Sequence, residues 1–290
     1  MLVKGSIVAL VTPFHEDGSV NFEKLGELVE FHIAHKTDAL LVLGTTGETP
    51  TMTHEEDDSV VQYAIEKANK RIPIYVGAGS NCTATMVKYC QKYEAMGADA
   101  LLVIAPYYNK ANEEGMYMHF KTVADAVHTP LILYNVPGRT GCSISYEVVK
   151  RLCTHPNVAA IKEASGNISY MAKIARLASD SFQIYSGNDD MIVPALSLGA
   201  SGVISVVANI LPEETHEMVV SFLNGETQRA LDLQLRYLDF INALFIEPNP
   251  IPVKAAMNLL GMNVGGYRLP LHEMSEANLA KLKETMKVLD

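Results

Sequence analysis

Val158-Ala159-Ala160-Ile161-Lys162-Glu163-Ala164-Ser165-Gly166 is a short apolar run of small residues that ends on a lysine and then breaks at Ser-Gly. Such a run spells a buried strand. Lysine is rarely buried unless something pairs with it or uses it. Lys162 therefore has two readings. Either it closes the strand with its ammonium in solvent, or it sits desolvated, loses proton affinity and attacks a carbonyl to form a Schiff base.

The chain on either side repeats the same plan. Further strand-like runs lie at 6–11, 39–43, 72–76, 99–104, 130–134, 182–185 and 202–207, with helical patterns between them. Asn21 is placed to cap a helix carrying Phe22, Leu25, Leu28, Val29 and Ile33 at helical spacing. Thr53 precedes another, with Glu55 and Glu56 in its first turn to suit the helix dipole. Strands alternating with helices imply a parallel sheet, and eight of them close a (β/α)8 TIM barrel. The rival, an open doubly wound sheet, needs a glycine-rich turn after the first strand, and Thr12-Pro13-Phe14 is not one. Beyond about 212 the chain shows only helical periodicity, including Leu231, Leu235, Leu238 and Ile241. The expectation is an α/β barrel over 1–224 and a C-terminal helical extension over 225–290.

Composition bounds the function. The 290 residues are 48% hydrophobic and 19% charged, ordinary for a globular protein, and one barrel of this length is common. A net charge of −10 argues against nucleic-acid binding, which needs a basic face. No apolar run is long enough to cross a membrane, and the start has no signal-peptide plan, so a cytoplasmic protein is expected. Cys82, Cys90, Cys142 and Cys153 form no Cys-x-x-Cys pair and read as free thiols. His32 and His35, three apart on a helix read as solvent-facing, have no partner ligands, so no metal site is expected. Asp57-Asp58 reads as part of a solvated acidic helix start.

In a barrel of this kind the chemistry sits at the C-terminal ends of the strands. The polar and glycine-rich segments Thr45-Thr46-Gly47-Glu48, Tyr107-Tyr108, Tyr134 with Arg139, Lys162, Gly187-Asn188-Asp189 and Ser205 all fall there. Strand alternation puts Val158, Ala160 and Lys162 on one face and Ile132 with Tyr134 on another. If both faces point inward, the lysine and the phenol meet at the mouth, where the phenol can relay a proton. Tyr134 alone also reads as a core tyrosine, and Thr45 and Thr46 as ordinary turn residues or as groups that orient the phenol and bind a carboxylate. Arg139, in Pro137-Gly138-Arg139-Thr140-Gly141, can grip a carboxylate or simply satisfy turn carbonyls. Tyr107-Tyr108 also suits a subunit contact.

Taken in order, Gly44-Thr45-Thr46-Gly47-Glu48, Pro106-Tyr107-Tyr108-Asn109, the segment from Tyr134 to Gly141, Ile161 to Gly166, Gly202 to Val206 and Glu247-Pro248-Asn249-Pro250-Ile251-Pro252-Val253-Lys254 make the whole chain resemble the dihydrodipicolinate synthase branch of the pyruvate-dependent class I aldolases, which also include N-acetylneuraminate lyase. The resemblance implies a lyase that condenses pyruvate with L-aspartate 4-semialdehyde on the way to diaminopimelate and lysine, without a cofactor. It also implies a homotetramer built as a dimer of dimers. In this sequence it assigns Lys162 to the Schiff base and Tyr134, Thr45 and Tyr108 to a proton relay, with Tyr108 entering from the neighbouring subunit. Thr46, with backbone near Gly187 and Ile204, matches the pyruvate carboxylate pocket, and Arg139 matches the holder of the semialdehyde carboxylate.

Arg139 argues against the two alternatives within the superfamily, a 2-keto-3-deoxy sugar acid aldolase and an N-acetylneuraminate lyase. A barrel that kept the fold and binds without catalysis is the alternative from another class. Asn188 departs mildly from the family pattern. A larger departure is Thr85, where members inhibited by lysine carry a glutamate for the effector's ammonium; Asp57 replaces a common histidine, while His54, Asn81 and Tyr107 keep the other side chains of that possible allosteric pocket. Losing the charged partner should weaken lysine binding on the order of a hundredfold. Weak or absent feedback is expected.

Overall fold

The computed structural model describes residues 2–289. Eight parallel strands form a closed barrel in chain order: β1 (Gly5–Ala9), β2 (Ala39–Val42), β3 (Ile74–Gly77), β4 (Ala100–Ile104), β5 (Leu131–Asn135), β6 (Val158–Glu163), β7 (Gln183–Ser186) and β8 (Gly202–Ser205). β8 closes on β1 by pairing Gly5 with Gly202 and Ile7 with Ile204. The backbones meet there so closely that a Cβ on Gly202, at φ +157°, would lie 1.9 Å from the Gly5 carbonyl oxygen.

The strands are apolar on both faces because both are covered. Ile7, Leu41, Leu102, Ile132, Ala160 and Ile204 fill the interior. Val8, Leu40, Leu101, Leu133 and Ile161 pack outward against the helices. At the N-terminal end the interior is plugged by Tyr75 and Tyr185, whose hydroxyls bond the Val3 amide (3.1 Å) and carbonyl (2.5 Å). Access is therefore from the other end. Side-chain caps set the helix starts: Asn21 accepts from the Lys24 amide, Thr53 and Glu56 form a reciprocal capping box, and Ser145 accepts from the Val148 amide.

Three details differ from the sequence expectation. Val158 does not share a face with Ala160. A register shift in the β5–β6 ladder pairs Leu131 with Val158 but Ile132 with Ala160, so Val158 joins the outer core while Ala160 and Lys162 point inward. His32 lies on the buried face of its helix, its Nδ1 2.8 Å from the Thr37 hydroxyl. Burial pulls its pKa down to about 3, and it is structural.

The third concerns the tail. The helix Pro212–Leu223 follows β8, and Thr227–Ala243, Ile251–Leu259 and Glu276–Met286 come after it. Along Thr227–Ala243 the packed face is Ala230, Gln234, Tyr237, Phe240 and Ile241, while Leu231 and Leu235 are exposed. The period was legible, but the face was not. Gln234 turns it inward: its amide donates to the Asp189 carbonyl (2.9 Å) and accepts from the Val193 amide (3.1 Å). No helix among the described residues is long and apolar enough to cross a membrane.

Candidate active site

β5 and β6 run side by side in a register that sets Tyr134 opposite Lys162 and Asn135 opposite Glu163. The first pair faces the barrel mouth. Lys162 is buried, and its Nζ lies 4.5 Å from the centre of the Tyr134 ring. Desolvation pulls the lysine pKa from 10.5 to about 8; the Asp189 carboxylate works against that shift and the Arg139 guanidinium adds to it. The amine is thus a far better nucleophile near neutrality than an exposed lysine. Burial also raises the Tyr134 phenol, with Arg139 and the Thr45 hydroxyl pulling the other way.

The second pair faces outward and fixes the first. Glu163 is buried and accepts from Asn135 Nδ2 (2.6 Å) and the Ser165 amide (2.7 Å), while Asn135 Oδ1 accepts from the Ile144 amide (2.9 Å). Each partner directly follows a mouth residue, so this bond locks the register that brings Tyr134 to Lys162. Sequence reasoning gave neither residue a role; the available signal was two amide- or carboxylate-bearing side chains at the ends of otherwise apolar strands.

Around the lysine the backbone comes close. A Cβ on Gly187 would stand 2.9 Å from Lys162 Cε and 2.6 Å from Ala164 Cβ, so only glycine leaves the lysine its path. Buried Asp189 accepts from the Val206 (2.9 Å) and Val207 (2.8 Å) amides, tying the end of β7 to the end of β8. Ile204 lines the interior. Ser205, grouped by sequence with the mouth residues, accepts from the Ala208 amide (2.9 Å) on the opposite face from Ile204, so it shapes the loop after β8.

Thr45 opens the turn Thr45–Gly47 after β2, and buried Thr46 follows it. Arg139 sits on the helical turn Pro137–Thr140 after β5, exposed at the mouth. Asn249 of the C-terminal extension bridges them: its Nδ2 donates to Thr46 Oγ1 (3.0 Å), and its carbonyl accepts from Arg139 Nη2 (3.3 Å). Below this turn Glu48 and Lys254, both wholly buried, pair at 2.7 Å, and Lys254 also donates to the Thr12 carbonyl (3.2 Å). The sequence reading quoted Glu48, Asn249 and Lys254 within motifs but assigned them nothing.

A cavity of about 440 Å3 opens beside these residues. Thr45, Tyr134 and Arg139 line it together with His54, Asp57, Tyr89 and Tyr107. Asn81 reaches the Tyr107 carbonyl (3.2 Å), and His54 Nε2 lies 2.9 Å from the Tyr89 hydroxyl. Asp57 is not the solvated residue the sequence suggests. It is buried, 3.8 Å from His54, and desolvation raises its pKa to about 6 although His54 opposes the rise. Tyr108 alone stands apart from the other predicted relay residues. It is 91% exposed, with φ +69°.

A desolvated lysine beside a phenol, with two hydroxyls and an arginine, suits imine chemistry on a small carboxylated carbonyl compound. Relatives agree with that chemistry. A 4-hydroxy-tetrahydrodipicolinate synthase from Caldicellulosiruptor bescii is 54% identical over 98% of this chain and 96% of its own. One from Clostridium perfringens is 52% identical over 99% and 98%. The crystal structure of dihydrodipicolinate synthase from Aquifex aeolicus superimposes with a TM-score of 0.95 at 45% identity, over 98% of this chain and 97% of that one. The dihydrodipicolinate synthetase family model matches residues 2–289, and the chain belongs to this family.

Proposed function

We propose that the chain condenses pyruvate with L-aspartate 4-semialdehyde to 4-hydroxy-tetrahydrodipicolinate through a Schiff base on Lys162. The observation that carries the reading is the buried lysine of lowered pKa set across the β5–β6 ladder from Tyr134. Lys162 adds to the pyruvate ketone, and the Tyr134 phenol protonates the departing oxygen as water leaves. The cationic imine acidifies the methyl group, whose proton passes to the Tyr134 phenolate to give an enamine. The enamine carbon attacks the aldehyde, and the new alkoxide takes a proton through the Thr45–Tyr134 relay. The substrate amine then adds to the imine carbon, the ring closes, and Lys162 leaves as the free amine. Thr46 and the backbone around Gly187 and Ile204 receive the pyruvate carboxylate. Arg139 receives that of the semialdehyde, a bidentate match for a guanidinium at an open mouth.

Tyr108 completes the relay of a neighbouring copy in this reading, which its exposure supports. The assembly is a homotetramer, and the protein works in the cytoplasm without cofactor, nucleic acid or membrane. Borohydride reduction in the presence of pyruvate tests the core of the proposal: mass spectrometry should find the adduct on Lys162, and an unmodified lysine would leave a binding protein instead. Turnover of pyruvate with the semialdehyde should exceed that with N-acetylneuraminate or keto-deoxy sugar acids; the reverse ranking would assign the barrel to one of those aldolases.

A further inference from the structure

We infer that Asn249 is a positioning residue that sets the polarity of the pyruvate carboxylate pocket from outside the barrel. The Asn249 amide nitrogen, which can only donate, gives its hydrogen to Thr46 Oγ1 at 3.0 Å in a buried bond. A hydroxyl that accepts from such a group must point its own proton elsewhere. Among the described residues the Thr46 hydroxyl donates to nothing, so that proton is free for a ligand oxygen. Asn249 Oδ1 is also buried without a partner. The reverse amide orientation would leave both amide hydrogens buried without an acceptor. The same residue's carbonyl accepts from Arg139 Nη2, which leaves the rest of the guanidinium fork for a second carboxylate. One residue of the extension thus turns a threonine into an obligate donor and braces the arginine beside it.

The inference rests on the proposed role of Thr46, and the experiment separates the two. Thr46→Val should raise the KM for pyruvate; if it does not, the Thr46 assignment fails first. Given that rise, Asn249→Ala should raise the pyruvate KM about tenfold, the loss expected when a donor to a charged group is no longer aimed. The semialdehyde KM and the melting temperature should change little, because the backbone carbonyl remains. Asn249→Asp should be worse than Asn249→Ala, because a carboxylate would take the Thr46 proton for itself. In the double variant Thr46→Val with Asn249→Ala, the pyruvate KM should rise no further than in Thr46→Val alone. An Asn249→Asp enzyme with the wild-type pyruvate KM would overturn the inference. So would an Asn249→Ala variant in which both KM values rise while kcat and melting temperature fall together, since a purely structural bond would do that.

Discussion

The lowered pKa of Lys162 has a consequence for both rate and stability. At pH 7.5 a lysine with a pKa of about 8 is roughly one quarter neutral, against about one in a thousand at 10.5, so the site holds a few-hundredfold more nucleophile. Imine formation, followed as the initial rate of borohydride-trapped pyruvate adduct, should therefore titrate with a midpoint near 8. The neighbours give the signs of two variants. Arg139 lowers the lysine pKa, so Arg139→Leu should move the midpoint up; Asp189 raises it, so Asp189→Asn should move it down. The same depression means that folding disfavours the ammonium. The penalty is full below the folded pKa and disappears as the pH rises through 8 toward 10.5. The fall from 10.5 to about 8 corresponds to roughly 3 kcal/mol. Lys162→Met should abolish turnover yet raise stability by up to about 3 kcal/mol at pH 7, with the gain fading as the pH rises through about 8 and nearly gone at 10.5. Denaturant melts at pH 7 and pH 10.5 read it directly. A trapping midpoint near 10, or a Lys162→Met protein less stable than wild type at pH 7, would refute the reasoning.

Gly187→Ala puts a methyl group 2.9 Å from Lys162 Cε, so trapped adduct and kcat should drop on the order of a hundredfold, while overpacking lowers stability by only about 1–3 kcal/mol. Normal adduct formation would show that the lysine has another path. Tyr108→Phe and Lys162→Ala should each be nearly inactive alone, yet regain about a quarter of wild-type turnover when unfolded and refolded together, because a mixed pair holds one complete site; no recovery means that Tyr108 serves no neighbour. Lys254→Met strands the buried Glu48 carboxylate and should destabilise by about 3–5 kcal/mol in chemical denaturation, with much of that loss recovered in the double variant with Glu48→Leu. A single variant as stable as wild type would show the pair to be dispensable. Calorimetric titration with lysine should show no micromolar binding, because Thr85 offers the effector's ammonium no charge; micromolar affinity would assign that role to Asp57.

The alternation of apolar runs and capped helices made the barrel legible, because each strand needs burial on both faces and each helix needs a start. It also placed Lys162 and Tyr134 together, since strand periodicity and the position at a strand end are both local properties. What stayed hidden was set by contacts between distant segments. The shift at Val158 depends on how Leu131 and Ile132 pair, and a period-two rule has no place for an extra residue. Leu231 and Leu235 look more buried than Ala230 and Gln234 on any hydrophobicity scale, but Gln234 finds two backbone partners near Asp189 that the sequence cannot display. Asp57 fits an acidic helix start by its neighbours, yet its own helix face turns it into the cavity wall.

The C-terminal extension was the largest underestimate, and the reason is physical. Read from the sequence, it is a helical appendage with no strand signal and no chemistry of its own. Three of its residues nevertheless hold the mouth. Gln234 grips the Asp189 carbonyl, Asn249 holds Thr46 and Arg139, and Lys254 neutralises Glu48 beneath the Thr45–Gly47 turn. The loops at the strand ends are short and carry groups that must be held in place to act. The barrel fixes where each loop begins but not how its polar side chains point. Hydrogen bonds from a separate, well-packed element supply that orientation. In the proposed mechanism the lysine therefore owes its reactivity to the barrel interior that desolvates it, while the two groups assigned to the substrate carboxylates, Thr46 and Arg139, are braced by Asn249 of the extension.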